Sequence, residues 1–359
     1  MPALRRILVT VAIAATATAA TVTPAAAHSV SGVTSTNYRT RLLSVRPDVP
    51  GIRVEVIEAG SRMQLTNTTD TDVIVFGYQD EPYLRVGPRG VFENQRSPAT
   101  FLNADRSGSA RPPASADPSA SPRWEQVSSG TVARWHDHRA HFMGDTDPPQ
   151  VRDAPDREHV VIPRWTVPFD HGATRIVATG DLTWVPGPSP LPWAIVAAVL
   201  AAVAVAVALA SWWAAGVAVL VVLLVGVDVA HNVGIALAEA GSTGTRVARV
   251  VGGGFYSVLA WAAGVLAVVA LLRRRAEGLF AVTFCALVVL LFGGLADLSN
   301  LYRSQIPFAW DADLARAAVT VSLGLGVGLT VASVMGIRRH VPLTVAAPGM
   351  AGPPSPAGE

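Results

Sequence analysis

Three of the chain's eight histidines fall within six positions, in the run Trp135-His136-Asp137-His138-Arg139-Ala140-His141-Phe142-Met143. Neutral imidazole is the commonest protein metal ligand, and a His-x-His pair followed closely by a third His can supply most of a coordination shell from one segment. The chemistry this spacing points to is binding of a transition metal, copper first and zinc second, with His136, His138 and His141 as ligands. The spacing matches no closed ligand signature as specific as paired Cys-x-x-Cys motifs. A solvated, Arg- and His-rich turn that binds nothing would carry the same residues.

A fourth histidine gains interest from its position. Arg5 and Arg6 precede an apolar stretch from Ile7 to about Ala20, and Ala25-Ala26-Ala27 offers a small-x-small cleavage site, so residues 1–27 read as a secretory signal peptide. Cleavage there starts the mature chain at His28, whose α-amino group and imidazole together can chelate one metal ion as a histidine brace. Around the 136–141 cluster, Asp137 or Asp145 is expected to orient a ring nitrogen, as metal-bound histidines require. Met63 and Met143 are soft candidate ligands that fit ordinary core packing better, and His159 and His171 read as surface histidines.

A second polar constellation lies in apolar sequence. Asp228, His231 and Asn232 sit at i, i+3 and i+4 and share one helix face, and Asp297 with Asn300 closes a later apolar run. Ionisable groups in a span are costly. They mark an ion or proton path, or a polar contact between helices.

Composition divides the elements that must hold these groups. Residues 28–188 are polar, Arg-rich and turn-rich, whereas 189–337 are dominated by Ala, Val, Leu and Gly. About 20 apolar residues are needed to span a bilayer. Five stretches qualify, at 191–210, 212–238, 251–272, 279–297 and 315–337. With the polar domain outside, the Arg273-Arg274-Arg275 and Arg338-Arg339 clusters fall inside, as positively charged loops should, with Arg246 and Arg249 mild exceptions. The expected placement is a multi-pass plasma-membrane protein with an extracytoplasmic N-terminal domain and a disordered cytoplasmic tail at 338–359.

The polar domain reads as all-β. Residues 52–58 and 62–66 alternate, 73–78 form a buried-strand run, and 83–86, 159–162, 165–168 and 174–184 add further strands. Short strands at this spacing favour a sandwich of immunoglobulin type, with a long surface loop at 103–123. A strand at 131–139 would put His136 and His138 on one face, because side chains alternate. The fold class expected is therefore an exported β-sandwich followed by a helical transmembrane bundle.

Several function classes are excluded. All 28 basic residues are Arg, but no basic stripe interleaved with aromatics appears, so no nucleic-acid partner is expected. The one cysteine, Cys285, lies in the fourth span, so the polar domain cannot use disulfides. No nucleophile sits in the strand-turn-helix context that catalysis needs, and enzymatic activity is not expected.

The runs Glu81-Pro82-Tyr83-Leu84-Arg85-Val86-Gly87-Pro88, Ser97-Pro98-Ala99-Thr100-Phe101-Leu102-Asn103, Trp135-His136-Asp137-His138-Arg139 and Ser304-Gln305-Ile306-Pro307-Phe308 resemble those of signal-peptide-bearing multi-pass membrane proteins of high-GC Gram-positive bacteria. That resemblance implies the architecture and no activity. A looser one, through His28, the β-rich domain and His231, is to copper-resistance proteins of the CopC and CopD type, in which an exported β-sandwich works with a histidine-bearing membrane partner; the usual CopC opening motif and a Met-rich loop are absent. The expected function is binding of copper by the exported domain for delivery to, or sensing by, a bundle site of Asp228, His231, Asn232, Asp297 and Asn300. The alternative is an envelope interaction protein whose β domain uses exposed aromatics (Trp124, Trp135, Trp165, Trp184) to bind a protein or wall polymer, with an inert anchor in the lipid bilayer. A small transporter coupled to protons through Asp228 and Asp297 is a third reading, but no internal repeat supports it.

Overall fold

The computed structural model of the protein describes residues 34–104, 110–144, 146–253 and 255–340. The expected leader, His28, Asp145 and the tail beyond residue 340 lie outside them. Among the described residues, ten strands build the N-terminal domain: β1 Tyr38–Arg46, β2 Ile52–Ile57, β3 Arg62–Asn67, β4 Val73–Phe76, β5 Pro82–Gly87, β6 Gly90–Asn94, β7 Trp124–Ser128, β8 Val132–Trp135, β9 His159–His171 and β10 Thr174–Trp184. They form an antiparallel sandwich of two sheets, one in the order β1-β10-β9-β4-β5-β6-β7 and the other β2-β3-β8.

Alternation in the sequence explains the layers. In β3, Met63, Leu65 and Asn67 are buried while Arg62, Gln64 and Thr66 face outward. Trp165, Val167 and Phe169 of β9 and Ile176 and Ala178 of β10 meet them across the core. Truncating a side chain as buried as Phe169 to Ala costs about 3–5 kcal/mol.

Two sequence expectations change here. The runs 159–162 and 165–168 are one strand: Pro163 between them is absorbed where the pairing with β10 shifts register, between Leu182 and Gly180. The strand expected at 131–139 stops at Trp135, because the carboxylate of Asp137 accepts the backbone N–H of Arg139 and its carbonyl that of Ala140, closing a turn.

Five helices are long and apolar enough to cross a membrane: α1 Leu191–Leu209, α2 Trp213–Ala238, α3 Phe255–Leu272, α4 Gly278–Val289, prolonged by a π-helical turn Leu290–Leu295, and α5 Ala312–His340. Helix α5 is the hub, packing against α1, α2 and α4. Close approach demands glycine at this contact: a Cβ on Gly324 would stand 2.6 Å from the Ala197 carbonyl oxygen of α1. The outward faces present Ile195, Val199, Val219 and Val265, as surfaces solvated by lipid chains do.

The two halves are stitched at one end of the bundle. Thr36 and Gln305 exchange backbone hydrogen bonds of 2.9 and 2.8 Å. Ser304 donates its backbone N–H to Asn37 Oδ1 and its hydroxyl to the Val185 carbonyl, and the Ser35 and Ser299 hydroxyls meet at 2.7 Å. The β domain is therefore seated on the segment between α4 and α5 and does not hang from a free linker.

Candidate functional site

The histidine segment leaves β8 at Trp135, which pairs with Met63 of β3. Its turn is built around Asp137, a buried carboxylate that accepts the Trp135 indole N–H at 2.9 Å and a two-pronged grip from Arg139, Nε at 2.8 Å and Nη2 at 2.8 Å. Arg139 also donates to the Phe76 and Gly77 carbonyls and lies over the Tyr78 ring. Burial alone would lower the Arg139 pKa, but the hydrogen bond and charge of Asp137 hold it above its ordinary value. Of the two carboxylates expected to orient a histidine ring, Asp137 is engaged by Trp135 and Arg139, and Asp145 lies outside the described residues. Asp137 fixes the backbone that carries the imidazoles.

Further bonds pin each position. The His138 N–H donates to the Tyr78 phenol oxygen at 3.0 Å, and Tyr78 in turn donates to Asn103. Burial, then the charge of Asp137, pushes the Tyr78 hydroxyl well above its ordinary range, so it stays a neutral donor. Thr40 of β1 donates its hydroxyl to the Ala140 carbonyl at 2.7 Å. Tyr38 stacks on Phe142 and donates to Asp147.

The three rings converge. His138 and His141 stand 5.1 Å apart, centre to centre, nearly perpendicular at 81°, and His136 lies 6.4 Å from His141. His141 is buried and the other two are half-buried. The Nδ1 of His136 is 2.8 Å from the Ser61 carbonyl, and since a carbonyl only accepts, Nδ1 carries the proton and the neutral ring has its lone pair on Nε2. Two imidazoles bound to one ion at about 2 Å per nitrogen, with the N–metal–N angle of roughly 90–110° found between neighbouring ligands in tetrahedral or square coordination, place their centres roughly 4.5–5.2 Å apart. His138 and His141 have that spacing; His136 does not. Among the described residues, no group of three or more His, Cys, Asp or Glu side chains is arranged to hold a metal ion.

The remaining histidine and methionine candidates are elsewhere. Met63 is buried in the core and Met143 is half-buried. His159 is tied to the Ala154 carbonyl and His171 to the Thr69 hydroxyl. Trp135, Trp165 and Trp184 are buried, so an aromatic docking surface built from them does not exist.

The intramembrane constellation does assemble. His231 Nε2 meets Asp297 Oδ2 at 3.0 Å, joining α2 to the segment after α4. Asp228 is fully buried, and its Oδ2 accepts the Trp261 indole N–H of α3 at 2.7 Å and the Asn232 amide at 3.3 Å. The π-helical turn presents Gly293 to Asp228 Oδ1, where a Cβ would collide. His231 Nδ1 is buried with no hydrogen-bond partner among the described residues. Asn300 meets the cluster through its backbone N–H, which donates to the Asp297 carbonyl at 2.9 Å, while its own carbonyl accepts from Arg316 Nε of α5. Sequence spacing missed Trp261, which is brought in from α3.

The histidine segment approaches the bundle at one place. Ser61, which holds His136, follows the turn Glu58–Gly60, and the Ala240 backbone N–H, just beyond the end of α2, lies close enough to the Glu58 carboxylate to lower its pKa. Burial raises the Glu58 pKa, against the lowering effect of Arg62 at 3.1 Å and of the Ala240 backbone N–H. The same helix α2 carries Asp228 and His231. No family model, curated protein or solved structure matches this chain.

Proposed function

We propose that this is a cell-envelope membrane protein whose exported β domain binds copper through the 136–141 histidine segment and communicates its occupancy to the Asp228/His231/Asp297 site of the bundle. The observation that carries the reading is the His138–His141 pair, two imidazoles at ligand spacing on a backbone held by Asp137, Tyr78 and Thr40. Such fixed placement lowers the ordering cost of coordination. Before metal binds, the Ser61 carbonyl sets the His136 tautomer with its lone pair on Nε2, and this bond is given up as His136 becomes a further ligand. His136 has to turn toward the pair to complete the set.

Copper titration of the purified full-length protein tests this. One copper per chain is expected, with affinity falling at least about tenfold for His138→Ala and for His141→Ala and less for His136→Ala. Stoichiometric copper retained by the triple alanine variant, or none bound by the parent protein, would sink the proposal.

A further inference from the structure

The end of the bundle remote from the β domain carries a cleft of about 510 Å³ between the α1–α2 connection and the exit of α3. Its walls include Trp212, Trp213, Leu271, Leu272, Arg274 and Arg275. Arg273, Arg274 and Arg275 form one run of the chain, and Arg338 and Arg339 end α5 beside it, where His340 stacks on Trp213 at 4.7 Å. Against five guanidinium groups the described residues place one carboxylate here, Glu277, and no ion pair holds any of the five. This charge is not needed to hold the fold together.

The walls are of two kinds. Trp212 is 60 % exposed and Leu272 65 % exposed at the end of apolar helices, so the site sits at the depth where lipid headgroups meet acyl chains. Indole rings favour that layer. Arg274 has a left-handed backbone, φ 55°, at the point where α3 ends and the chain turns toward α4; its N–H and that of Arg275 bond back to the Leu271 and Ala270 carbonyls. The tight reversal keeps both guanidinium stems at the cleft mouth.

We propose that this cleft binds the phosphate of an anionic membrane lipid, with Arg274 and Arg275 on the phosphate, Trp212 at the glycerol level, and the acyl chains along the exposed face of α2 and α3. Guanidinium pairs geometrically with phosphate oxygens through parallel N–H donors. Basic pockets between spanning helices suit this chemistry. A free phosphate shares the headgroup chemistry but has no use for the apolar wall of Leu271 and Leu272.

Native mass spectrometry of the full-length protein, released from nanodiscs of mixed phosphatidylglycerol and phosphatidylcholine, tests it. The parent protein should retain phosphatidylglycerol over phosphatidylcholine by about tenfold or more, and Arg274→Gln with Arg275→Gln should abolish the preference while Arg246→Gln, at the opposite end, leaves it intact. Trp212→Leu, at an exposed position, serves as an independent variant and should weaken retention severalfold. Equal retention of the two lipids, or an unchanged preference in the double variant, overturns the proposal. So does displacement of the lipid by excess inorganic phosphate, which would assign the site to the free anion.

Discussion

Asp137 shows how one residue can matter to a site without touching its ligand. Its carboxylate is buried, and all of its side-chain bonds go to Trp135 and to Arg139, whose side chain is half-buried. Removing one partner of a buried pair leaves the other's charge uncompensated, at about 3–5 kcal/mol. Asp137→Ala should therefore lower the thermal unfolding temperature of the full-length protein in detergent and release the turn that sets His138 and His141. The paired replacement Asp137→Ala with Arg139→Leu should recover much of the stability, because no orphaned charge remains. An unfolding temperature unchanged in the single variant would show that the pair does not hold the segment. The residue pattern disclosed the histidines but not this scaffold: Asp137 lies between two of them, and its indole and guanidinium partners only become apparent once β8 ends.

At the scale of elements, strands β6 and β7 set Glu93 directly opposite Glu125. Burial, then the charge of Glu125, raises the Glu93 pKa above its ordinary value of about 4.5. A carboxylate with a raised folded pKa favours the folded state while protonated, so its penalty is absent below pH 4.5 and sets in as pH rises through the raised value. Glu125→Gln should thus stabilise the protein by about 0.2–1 kcal/mol at neutral pH and by nothing at pH 4. Denaturant unfolding at the two pH values reads the difference; a gain of equal size at both would assign it to something other than charge repulsion. Strand β6 and the edge strands β7 and β1 were illegible in the sequence. Strand β7 faces solvent almost throughout, so it lacks the apolar alternation that revealed β2 and β3. Strand β1 alternates, but a bulge between Leu42 and Ser44 breaks its period. The spanning helices were readable to within a few residues because a bilayer demands unbroken apolar length, whereas strand pairing is decided by partners far away in the chain. The intramembrane site was legible in part: the i, i+3, i+4 spacing exposed Asp228, His231 and Asn232, but Trp261 enters from α3 and Gly293 from a π-helical turn that has no periodic signature.

Across the whole molecule, the coupling proposed above would run from the histidine segment to the bundle by way of one turn. His136 bonds to Ser61, the turn before Ser61 holds Glu58 and Ala59 at φ of 54° and 53°, and the Ala240 backbone N–H at the exit of α2 lies close enough to the Glu58 carboxylate to lower its pKa. Two consecutive non-glycine residues in the left-handed region cost of order 1–3 kcal/mol each. Such a turn persists only while its surroundings hold it, and on the proposed function it is the element that responds at both ends. If copper draws His136 toward His138 and His141, the bond to Ser61 is the first to break, and the turn is free to relax against Ala240. Binding at one site must then alter the other by an equal factor in both directions. Copper should change hydrogen exchange of the amides around 236–242, and Glu58→Ala should remove that response while leaving His138 and His141 able to bind. Conversely, Asp228→Asn should shift copper affinity by a measurable factor, within the 5- to 150-fold range typical of coupled sites, although Asp228 touches no part of the β domain's histidine segment. If exchange near Ala240 ignores copper in the parent protein, the two sites are mechanically separate and the bundle serves the β domain only as an anchor. The seam at Thr36 and Gln305 supplies the internal control: it joins the same two halves through a pair of backbone bonds and neighbouring serine contacts, lies off the Glu58 turn, and should exchange at one rate with or without the metal.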